Sequence, residues 1–319
     1  MNISRRKYIK SCLALLAAYP SRHLLASDVI TSSTTMAMGN FQYIYSNLAL
    51  RESFLDFYTN VFHLYPENEF HQLVHNLTKE KINDKDIYEE LLSSIKSIKP
   101  ILSDFTYALP ALAKQKREMT NQSLQLLDKT KTYNGYMEIG TTGRYLSQLE
   151  DNLKINDERY LLHTYEAGYG ALDIIDRGQL TKIGHYVDMG QYSTSFLKTI
   201  EKNSLDLVTV YIGFHHCPLD SRENFISAVR DVIKPKGKLI LRDHDARNQD
   251  LWRIAALAHD TFNAGTNETW QTNINEKRNF YSIEYITNLL TNLGLRFDGK
   301  VLYQKGDPTR NGLMSFTKV

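Results

Sequence analysis

The most constraining feature of the sequence is the alternation of strand and helix patterns from Tyr136 onwards, which finishes with two strands in direct succession. The first five predicted strands lie at 136–139, 161–165, 184–188, 205–212 and 238–241. Strands that alternate with helices form parallel sheets with right-handed crossovers. The last two strands, at 295–304 and 312–318, have no helix between them, so we expect an antiparallel pair. The pattern predicts an α/β fold with a seven-stranded, mostly parallel sheet closed by an antiparallel hairpin.

A glycine turn comes after the first predicted strand. Gly140 is directly after Glu138-Ile139, Gly143 is three residues later, and a helical pattern begins at Tyr145. A strand, a glycine turn and a helix in this order expose backbone N–H groups to a ligand. Glycine suits such a turn because it permits close backbone approach and positive φ. Glu138 is an acid at the end of a buried strand, which would repel a phosphate but suit a cationic or amino-acid-bearing ligand.

Two segments resemble motifs of class I S-adenosylmethionine-dependent methyltransferases. The segment 138–143, Glu-Ile-Gly-Thr-Thr-Gly, resembles the family's first motif, although it has one glycine fewer than E/D-x-G-x-G-x-G. The segment 213–218, Gly-Phe-His-His-Cys-Pro, resembles the segment after the fourth strand in quinone-biosynthesis and other small-molecule methyltransferases. The resemblance covers about 133–319 and implies a Rossmann-like methyltransferase domain over 131–319, with S-adenosyl-L-methionine as cofactor.

The resemblance also implies a cofactor site at the ends of the strands. In this family the acid and the glycine turn hold the methionine part of the cofactor, which points to Glu138, Gly140, Thr141 and Gly143. An acid after the second strand commonly accepts the ribose hydroxyls. Glu166 is the candidate, Asp173 and Asp176 are rivals, and a solvated loop acid is the alternative reading of Glu166.

Three further residues complete the predicted cofactor site. Asp188 ends the third strand, where the family commonly keeps an acid for the adenine amino group, although a turn-capping aspartate is an equal alternative. Tyr211 and Gly213 lie at the end of the fourth strand.

Histidines gather near the predicted carboxyl edge of the sheet. His215 and His216 come after the fourth strand, and His244 comes after the fifth. Ligands of open α/β folds bind at this edge, and histidine can take a proton near neutral pH, so these three are candidate general bases. Alternatively, they brace loops through hydrogen bonds.

A metal site is a further alternative at the same edge. Some O-methyltransferases use a divalent ion there, and the sequence offers plausible ligands in Asp243, His244, Asp245 and His216. Their spacing matches no known metal motif, so no metal is predicted from the sequence.

Composition and charge limit the partners of the chain. Of its 319 residues, 42% are hydrophobic and 23% charged, with a formal net charge of +2. This balance is ordinary for a globular protein and gives no reason to expect nucleic acid or an anionic membrane as partner. Loss of Cys12 with a leader would leave only Cys217, so that no internal disulfide could form. We expect a small-molecule acceptor.

The N-terminus resembles an export signal. Arg5-Arg6 precede a short apolar run, Leu13–Ala18, and the small residue Ala26. The order predicts a twin-arginine signal over 1–30, a linker over 31–40 and a periplasmic or exported protein, with a cytoplasmic protein as the alternative. The apolar run is shorter than the ~20 residues that span a bilayer. Export fits poorly with a cofactor made in the cytosol, although the twin-arginine route carries loaded, folded proteins.

Residues 41–130 show helical periodicity. Apolar residues recur three and four positions apart, as in Phe70, Leu73, Val74 and Leu77. We expect a helical region that roofs the active site and shapes the substrate pocket, with a break at Pro110 before a last helix over 111–127.

The functional prediction is methyl transfer (EC 2.1.1.-) from S-adenosylmethionine by in-line displacement, with help from a histidine base. One alternative is an NAD(P)-dependent reductase on a dinucleotide-binding fold. The other is an exported binding protein without catalysis. The acceptor and the oligomeric state are not predicted.

Overall fold

A computed structural model describes residues 38–63, 65–100, 103–168, 170, 177–178 and 181–319. The predicted export signal, most of the linker, and Asp173 and Asp176 lie outside these ranges. The strands are β1 Thr132–Ile139, β2 Lys154–His163, β3 His185–Asp188, β4 Leu205–Val210, β5 Ile233–His244, β6 Leu295–Tyr303 and β7 Asn311–Lys318.

Helices pack on both faces and at one edge of this sheet. Two π-helical turns, Tyr58–Phe62 and Asp104–Ala108, are each continuous with an α-helix. In the part of the chain that the structure describes, the α-helices are α1 Asn40–Ser46, α2 Leu48–Phe57, α3 Glu67–Glu80, α4 Asp84–Ile98, α5 Leu109–Ser123, α6 Leu146–Glu150, α7 Leu219–Val232, α8 Gln249–Gly265, α9 Trp270–Asn275 and α10 Ile283–Asn292.

The seven strands form one sheet in the order β3-β2-β1-β4-β5-β7-β6. The strands from β3 to β5 in this order are parallel. β7 lies between β5 and β6 and is antiparallel to both. The predicted fold is confirmed, including the antiparallel closing pair. β1 and β4 lie in the middle of the sheet and are buried on both faces, with Met137 and Val208 on one face and Tyr136 and Leu207 on the other, as a covered parallel sheet requires.

Three strands are longer than predicted. β1 begins at Thr132 and β2 at Lys154, ahead of the predicted starts at 136 and 161, because Thr132–Asn134 pair with Lys154–Asn156 through backbone groups that need no apolar side chains. β5 continues to His244, because β7 pairs with Arg242, Asp243 and His244. His244, expected after the fifth strand, therefore lies at its end.

Two helix boundaries also differ from the prediction. Pro110 does not break the chain but lies in the first turn of α5, where its missing N–H costs no helical hydrogen bond. The capping-box spacing of Asp220 and Glu223 predicts a cap at Asp220, but α7 begins at Leu219 without a side-chain cap and Asp220 lies in its first turn. Ser282, which the sequence predicts as the cap of the following helix, does cap α10 and accepts a hydrogen bond from the Tyr285 N–H at 3.2 Å.

The N-terminal helices divide between two positions. α1 to α4 enclose an apolar cluster with residues such as Tyr58 and Phe70, and this cluster includes Leu257 of α8. α5 packs instead on the sheet, where Met119 joins Tyr136 and Leu207. None of the helices in the described ranges is both long and apolar enough to cross a membrane.

Asp298 ties the closing hairpin to the sheet. Its carboxylate accepts hydrogen bonds from Lys238 of β5 at 2.7 Å, Ser315 of β7 at 2.8 Å and Thr317 of β7 at 2.6 Å. Burial alone would raise the pKa of Asp298, but these hydrogen bonds outweigh burial and hold the pKa below its usual value.

Replacement of Asp298 should therefore change stability in a pH-dependent way. Since its pKa is lower in the folded than in the unfolded chain, its stabilisation is complete above the unfolded pKa, about 4, and is lost as the pH falls through the folded pKa. We expect Asp298→Asn to lower the free energy of unfolding by no more than about 1 kcal/mol at pH 7, because the site is partly exposed. Urea denaturation between pH 7 and pH 2 should show that difference shrinking below pH ~4. A difference independent of pH would contradict this role of the carboxylate.

Candidate functional site

The glycine turn after β1 passes between the ends of β2 and β4. The Gly140 N–H donates to the Leu162 carbonyl at 3.0 Å. Gly140 has a φ of +82°, and a Cβ there would collide with the carbonyl oxygen of Ile212. A Cβ at Gly143 would lie 2.8 Å from Ile183 Cδ1. Gly140 is therefore required by the close approach of the Ile212 backbone, and Gly143 is favoured by its φ of +85°, because the Ile183 side chain beside it can move.

Glu138 lies fully buried beneath this turn. Its carboxylate accepts hydrogen bonds from the Tyr136 hydroxyl at 3.1 Å, the Tyr145 N–H at 3.3 Å and the Thr141 hydroxyl. Burial raises the pKa of Glu138, and these hydrogen bonds act against that shift. The acid thus holds both ends of the glycine turn from below.

Lys116 of α5 supplies a positive charge near the same turn. Its side chain is buried, with 7% exposed, and its Nζ donates to the Gly178 carbonyl at 3.2 Å. Burial and the charge of Arg144 lower the pKa of Lys116 to about 8, while Glu138 acts in the opposite direction. The turn therefore lies among charges of both signs. Sequence reasoning missed Lys116 because a lysine on an amphipathic helix is ordinarily solvent-exposed.

At the end of β4, backbone groups rather than the Tyr211 side chain are available at the edge of the sheet. The Tyr211 hydroxyl is 2.8 Å from Ser123 Oγ, and its ring lies 4.7 Å from that of Tyr145, so the side chain belongs to the core. Gly213 begins the short 3₁₀ turn Phe214–His216, and its carbonyl accepts a hydrogen bond from Tyr192. The structure thus places only the backbone of Tyr211 at the sheet edge.

The two acids predicted for adenosine lie at the ends of β2 and β3. Glu166 is exposed, with its carboxylate 3.6 Å from Lys182 Nζ, and it lines a shallow cleft together with Thr142 and His163. Asp188 Oδ1 accepts the Gly190 N–H at 2.9 Å, which is the geometry of a turn-capping aspartate. Their roles in cofactor binding stay predictions.

The three predicted histidines come together in one cluster. The ring of His215 lies 4.2 Å from that of His216 and 5.2 Å from that of His244. A fourth histidine, His259 of α8, lies 4.9 Å from His215 and was not predicted. The one sequence clue was a histidine beside the buried apolar positions of α8, with Leu257 and Ala258 preceding it.

Hydrogen bonds fix the orientation of these rings. Nδ1 of His216 lies 2.7 Å from the Lys277 carbonyl, and Nδ1 of His244 lies 3.0 Å from the Thr309 carbonyl. Nδ1 of His215 lies 2.8 Å from Asp243 Oδ1. Carbonyl and carboxylate oxygens accept, so each Nδ1 donates and each Nε2 retains its lone pair. Nε2 of His215 is buried and has no hydrogen-bond partner within the described ranges.

Burial keeps three of the four histidines neutral. It lowers the pKa of His215 well below its usual value, with further lowering by His216 and His244. Burial likewise lowers the pKa of His244 and of His259 to about 4. At neutral pH His215, His244 and His259 are therefore uncharged imidazoles.

A charged network connects this cluster to α8 and α1. Arg278 donates to Glu276 at 2.8 Å and to Asp260 at 2.7 Å. Asp260 also accepts a hydrogen bond from the Asn40 amide at 3.1 Å. Asp245, a plausible metal ligand by sequence, instead accepts hydrogen bonds from Tyr303 at 2.8 Å and the Ile283 N–H at 3.1 Å.

The strand order and the closing hairpin define the molecule as a Rossmann-like methyltransferase fold, as the sequence predicted. No protein-family model matches the sequence. No curated protein matches it either.

Methyltransferases are among the solved structures to which this chain is similar. One, from Aquifex aeolicus, is 16% identical, with a TM-score of 0.42 over 63% of this chain and 89% of its own. The CurJ carbon methyltransferase is 14% identical, with a TM-score of 0.45 over 85% of this chain and 70% of its own. The Burkholderia thailandensis 1,6-didemethyltoxoflavin-N1-methyltransferase, solved with S-adenosylhomocysteine, is 9% identical, with a TM-score of 0.42 over 73% of this chain and 87% of its own.

Two glycine replacements should separate two effects on stability: the positive φ of the residue, and the overlap of a new Cβ with neighbouring backbone. Gly299 has a φ of +87° and open space around it, whereas a Cβ on Gly140 would overlap the Ile212 carbonyl. We expect Gly299→Ala to lower the free energy of unfolding by about 1–2 kcal/mol through φ alone. Gly140→Ala should cost at least about 1 kcal/mol more, because backbone must move to relieve the overlap. Denaturant unfolding of both variants measures the difference, and equal losses would mean that the turn has more room than the structure gives it.

Proposed function

We propose that this chain is an S-adenosylmethionine-dependent methyltransferase (EC 2.1.1.-) that acts on a small molecule. One observation carries the proposal: a buried acid and a glycine turn lie at the end of the central strand of a sheet with this strand order. Ligands of open α/β folds bind beyond the carboxyl ends of the strands, where this turn lies.

The charges around the turn suit the methionine part of the cofactor. That part carries an amino group and a carboxylate, so it requires partners of both signs. Glu138 supplies the negative charge beneath the turn, and Lys116 supplies a positive charge beside it. We propose Glu166 for the ribose and Asp188 for the adenine.

The acceptor is proposed to bind between the sheet edge and α8. His216 and His259 have 25% and 18% of their side chains exposed, so the histidine cluster is accessible from solvent. The helices α1 to α4 pack against α8 in a shared apolar core, which fixes the position of α8. The small net charge of +2 favours a small molecule over nucleic acid as acceptor.

Where the acceptor carries a proton at the methylated atom, His215 is the proposed base. Asp243 orients its imidazole at 2.8 Å, which leaves the buried Nε2 to accept the proton. The acceptor proton would move to Nε2 while the methyl group moves from the sulfonium to the acceptor atom, and neutral S-adenosylhomocysteine leaves.

Calorimetry with the purified chain tests the cofactor. In the presence of a chelator, S-adenosylmethionine and S-adenosylhomocysteine should bind, and NADH and NADPH should not. Binding of the nicotinamide nucleotides alone would replace the proposal with a reductase. Absence of all binding would overturn it.

Charge-removing variants test the site. Lys116→Met and Glu138→Gln should each weaken S-adenosylmethionine binding at least tenfold, equivalent to about 1.4 kcal/mol, because each removes the partner of one charged group. Lys114→Met changes an exposed lysine on the same helix and should leave the affinity unchanged. Equal affinity of all three variants would place the cofactor elsewhere.

Replacement of His215 separates chemistry from binding. His215→Gln should leave S-adenosylmethionine affinity unchanged and lower turnover by about 10²–10⁴-fold, the usual contribution of a positioned base. Turnover is measured as S-adenosylhomocysteine released with a panel of hydroxyl, amine and thiol acceptors. Unchanged turnover with the best acceptor would exclude His215 as the base.

A further inference from the structure

Three histidine rings lie close enough together to bind one ion, whereas proton transfer requires only a single histidine. His215, His216 and His259 can each offer one nitrogen, and these nitrogens lie within 4.8 Å of one another. Three nitrogens that each lie ~2.0–2.1 Å from a tetrahedral zinc ion are roughly 3.4 Å apart, so a shift of about 1.5 Å at most would bring the rings into coordination. The three residues come from two separate segments, the 3₁₀ turn after β4 and helix α8.

The outer contacts of the rings are those of metal-binding histidines. Such histidines donate their second nitrogen to a carboxylate or a backbone carbonyl, which fixes the tautomer and aims the ligand nitrogen. His215 has Asp243 at 2.8 Å, His216 has the Lys277 carbonyl at 2.7 Å, and His259 Nδ1 has Glu276 at 3.5 Å. Each ring is thereby left with Nε2 as the nitrogen that can bind a metal.

An unpartnered atom gives independent support. Nε2 of His215 is buried, and the described ranges contain no hydrogen-bond partner for it. Water cannot readily serve instead, because only 8% of this side chain is exposed to solvent. A buried polar atom without a partner is costly in a folded protein and calls for an explanation such as an ion. A metal ion among the three rings would satisfy it.

We propose that His215, His216 and His259 bind a divalent transition metal ion of the zinc type, with a fourth position open to water or acceptor. Neutral imidazoles are preferred ligands of zinc, copper, nickel and iron, whereas magnesium and calcium require oxygen ligands. Three histidines with an open position are the ligand set of a catalytic zinc site.

A second set of three residues in the same cluster is less suitable. His215, Asp243 and His244 also lie within ligand distance of one another. Asp243, however, already accepts hydrogen bonds from His215 and from the His244 N–H at 2.7 Å, so its role is to orient those residues. Asp243 is therefore proposed as a positioning residue, outside the coordination sphere.

The surroundings favour a metal that is partly shielded from water. Phe280 covers one side, with its ring 5.2 Å from that of His215 and 5.3 Å from that of His259. On the other side His216 and His259 reach solvent, which provides an entry path. Glu276, 3.7 Å from His216 Nε2, places a negative charge near the proposed cation.

Metal binding does not depend on the proposed methyl transfer. One link between the two rests on the proposed function. A metal that binds an acceptor oxygen would lower the pKa of the acceptor's hydroxyl group and so replace the His215 base. Coordination would occupy the Nε2 lone pair, so base and metal ligand are alternative states of His215.

Metal titration of the whole chain tests the proposal without S-adenosylmethionine. After removal of metals with a chelator, Zn²⁺ should bind with a stoichiometry of one by calorimetry, and Co²⁺ should give the visible absorption of a four-coordinate ion. His216→Gln and His259→Gln should each weaken Zn²⁺ binding at least about a hundredfold, since loss of an outer partner alone costs 10–100-fold. Asp243→Asn should cost about 10–100-fold.

The matched control is His185→Gln, which removes an exposed histidine of β3. It should bind Zn²⁺ as the unchanged chain does, and thermal melting confirms that each variant is folded. Absence of Zn²⁺ and Co²⁺ binding by the unchanged chain would overturn the proposal, and so would equal affinity in all four variants. Because no S-adenosylmethionine is present, failure here leaves the proposed methyl transfer standing, and failure of S-adenosylmethionine binding leaves the metal site standing.

Discussion

The structure depends on how closely backbone segments approach at the carboxyl end of β1. Gly140 donates to the Leu162 carbonyl and has the Ile212 carbonyl where its side chain would be, so β1 is held between β2 and β4 up to its last residue. This contact sets the direction in which the chain leaves the sheet. It also sets where Glu138 can reach Thr141 and Tyr145, and so fixes the shape of the turn.

The polar groups at this edge fall into two sites with different electrostatics. Around the glycine turn, a buried acid and a buried lysine offer charges of both signs, which suits a zwitterionic ligand. Beyond β4 and β5, burial leaves His215, His244 and His259 neutral, and backbone carbonyl and carboxylate oxygens fix the ring tautomers in this cluster. Neutral, oriented imidazoles suit proton transfer or metal binding, so the two groups of polar residues favour different chemistry.

Helix α8 connects these sites to the N-terminal helices. One side of α8 packs in the apolar cluster of α1 to α4, and His259 on the same helix faces the histidines of β4 and β5. The Asp260–Arg278 ion pair and its contact with Asn40 join the two parts by polar interactions as well. The N-terminal helices can therefore affect the histidine cluster through the position of α8.

Local sequence was sufficient for the sheet, the closing hairpin and the residues of the glycine turn. Strand periodicity, turn glycines and an acid beside them are properties of consecutive residues, so Glu138, Gly140, His215 and His216 could be found by reading along the chain. The sequence prediction was wrong at the ends of β1, β2 and β5 and at Pro110, where backbone pairing and helix position outweigh side-chain pattern. Lys116, His259 and Glu276 could not be found in this way, because each lies on a separate helix or loop. Only packing of α5 on the sheet and of α8 on its edge brings them to the two sites, since burial and convergence depend on contacts between distant residues.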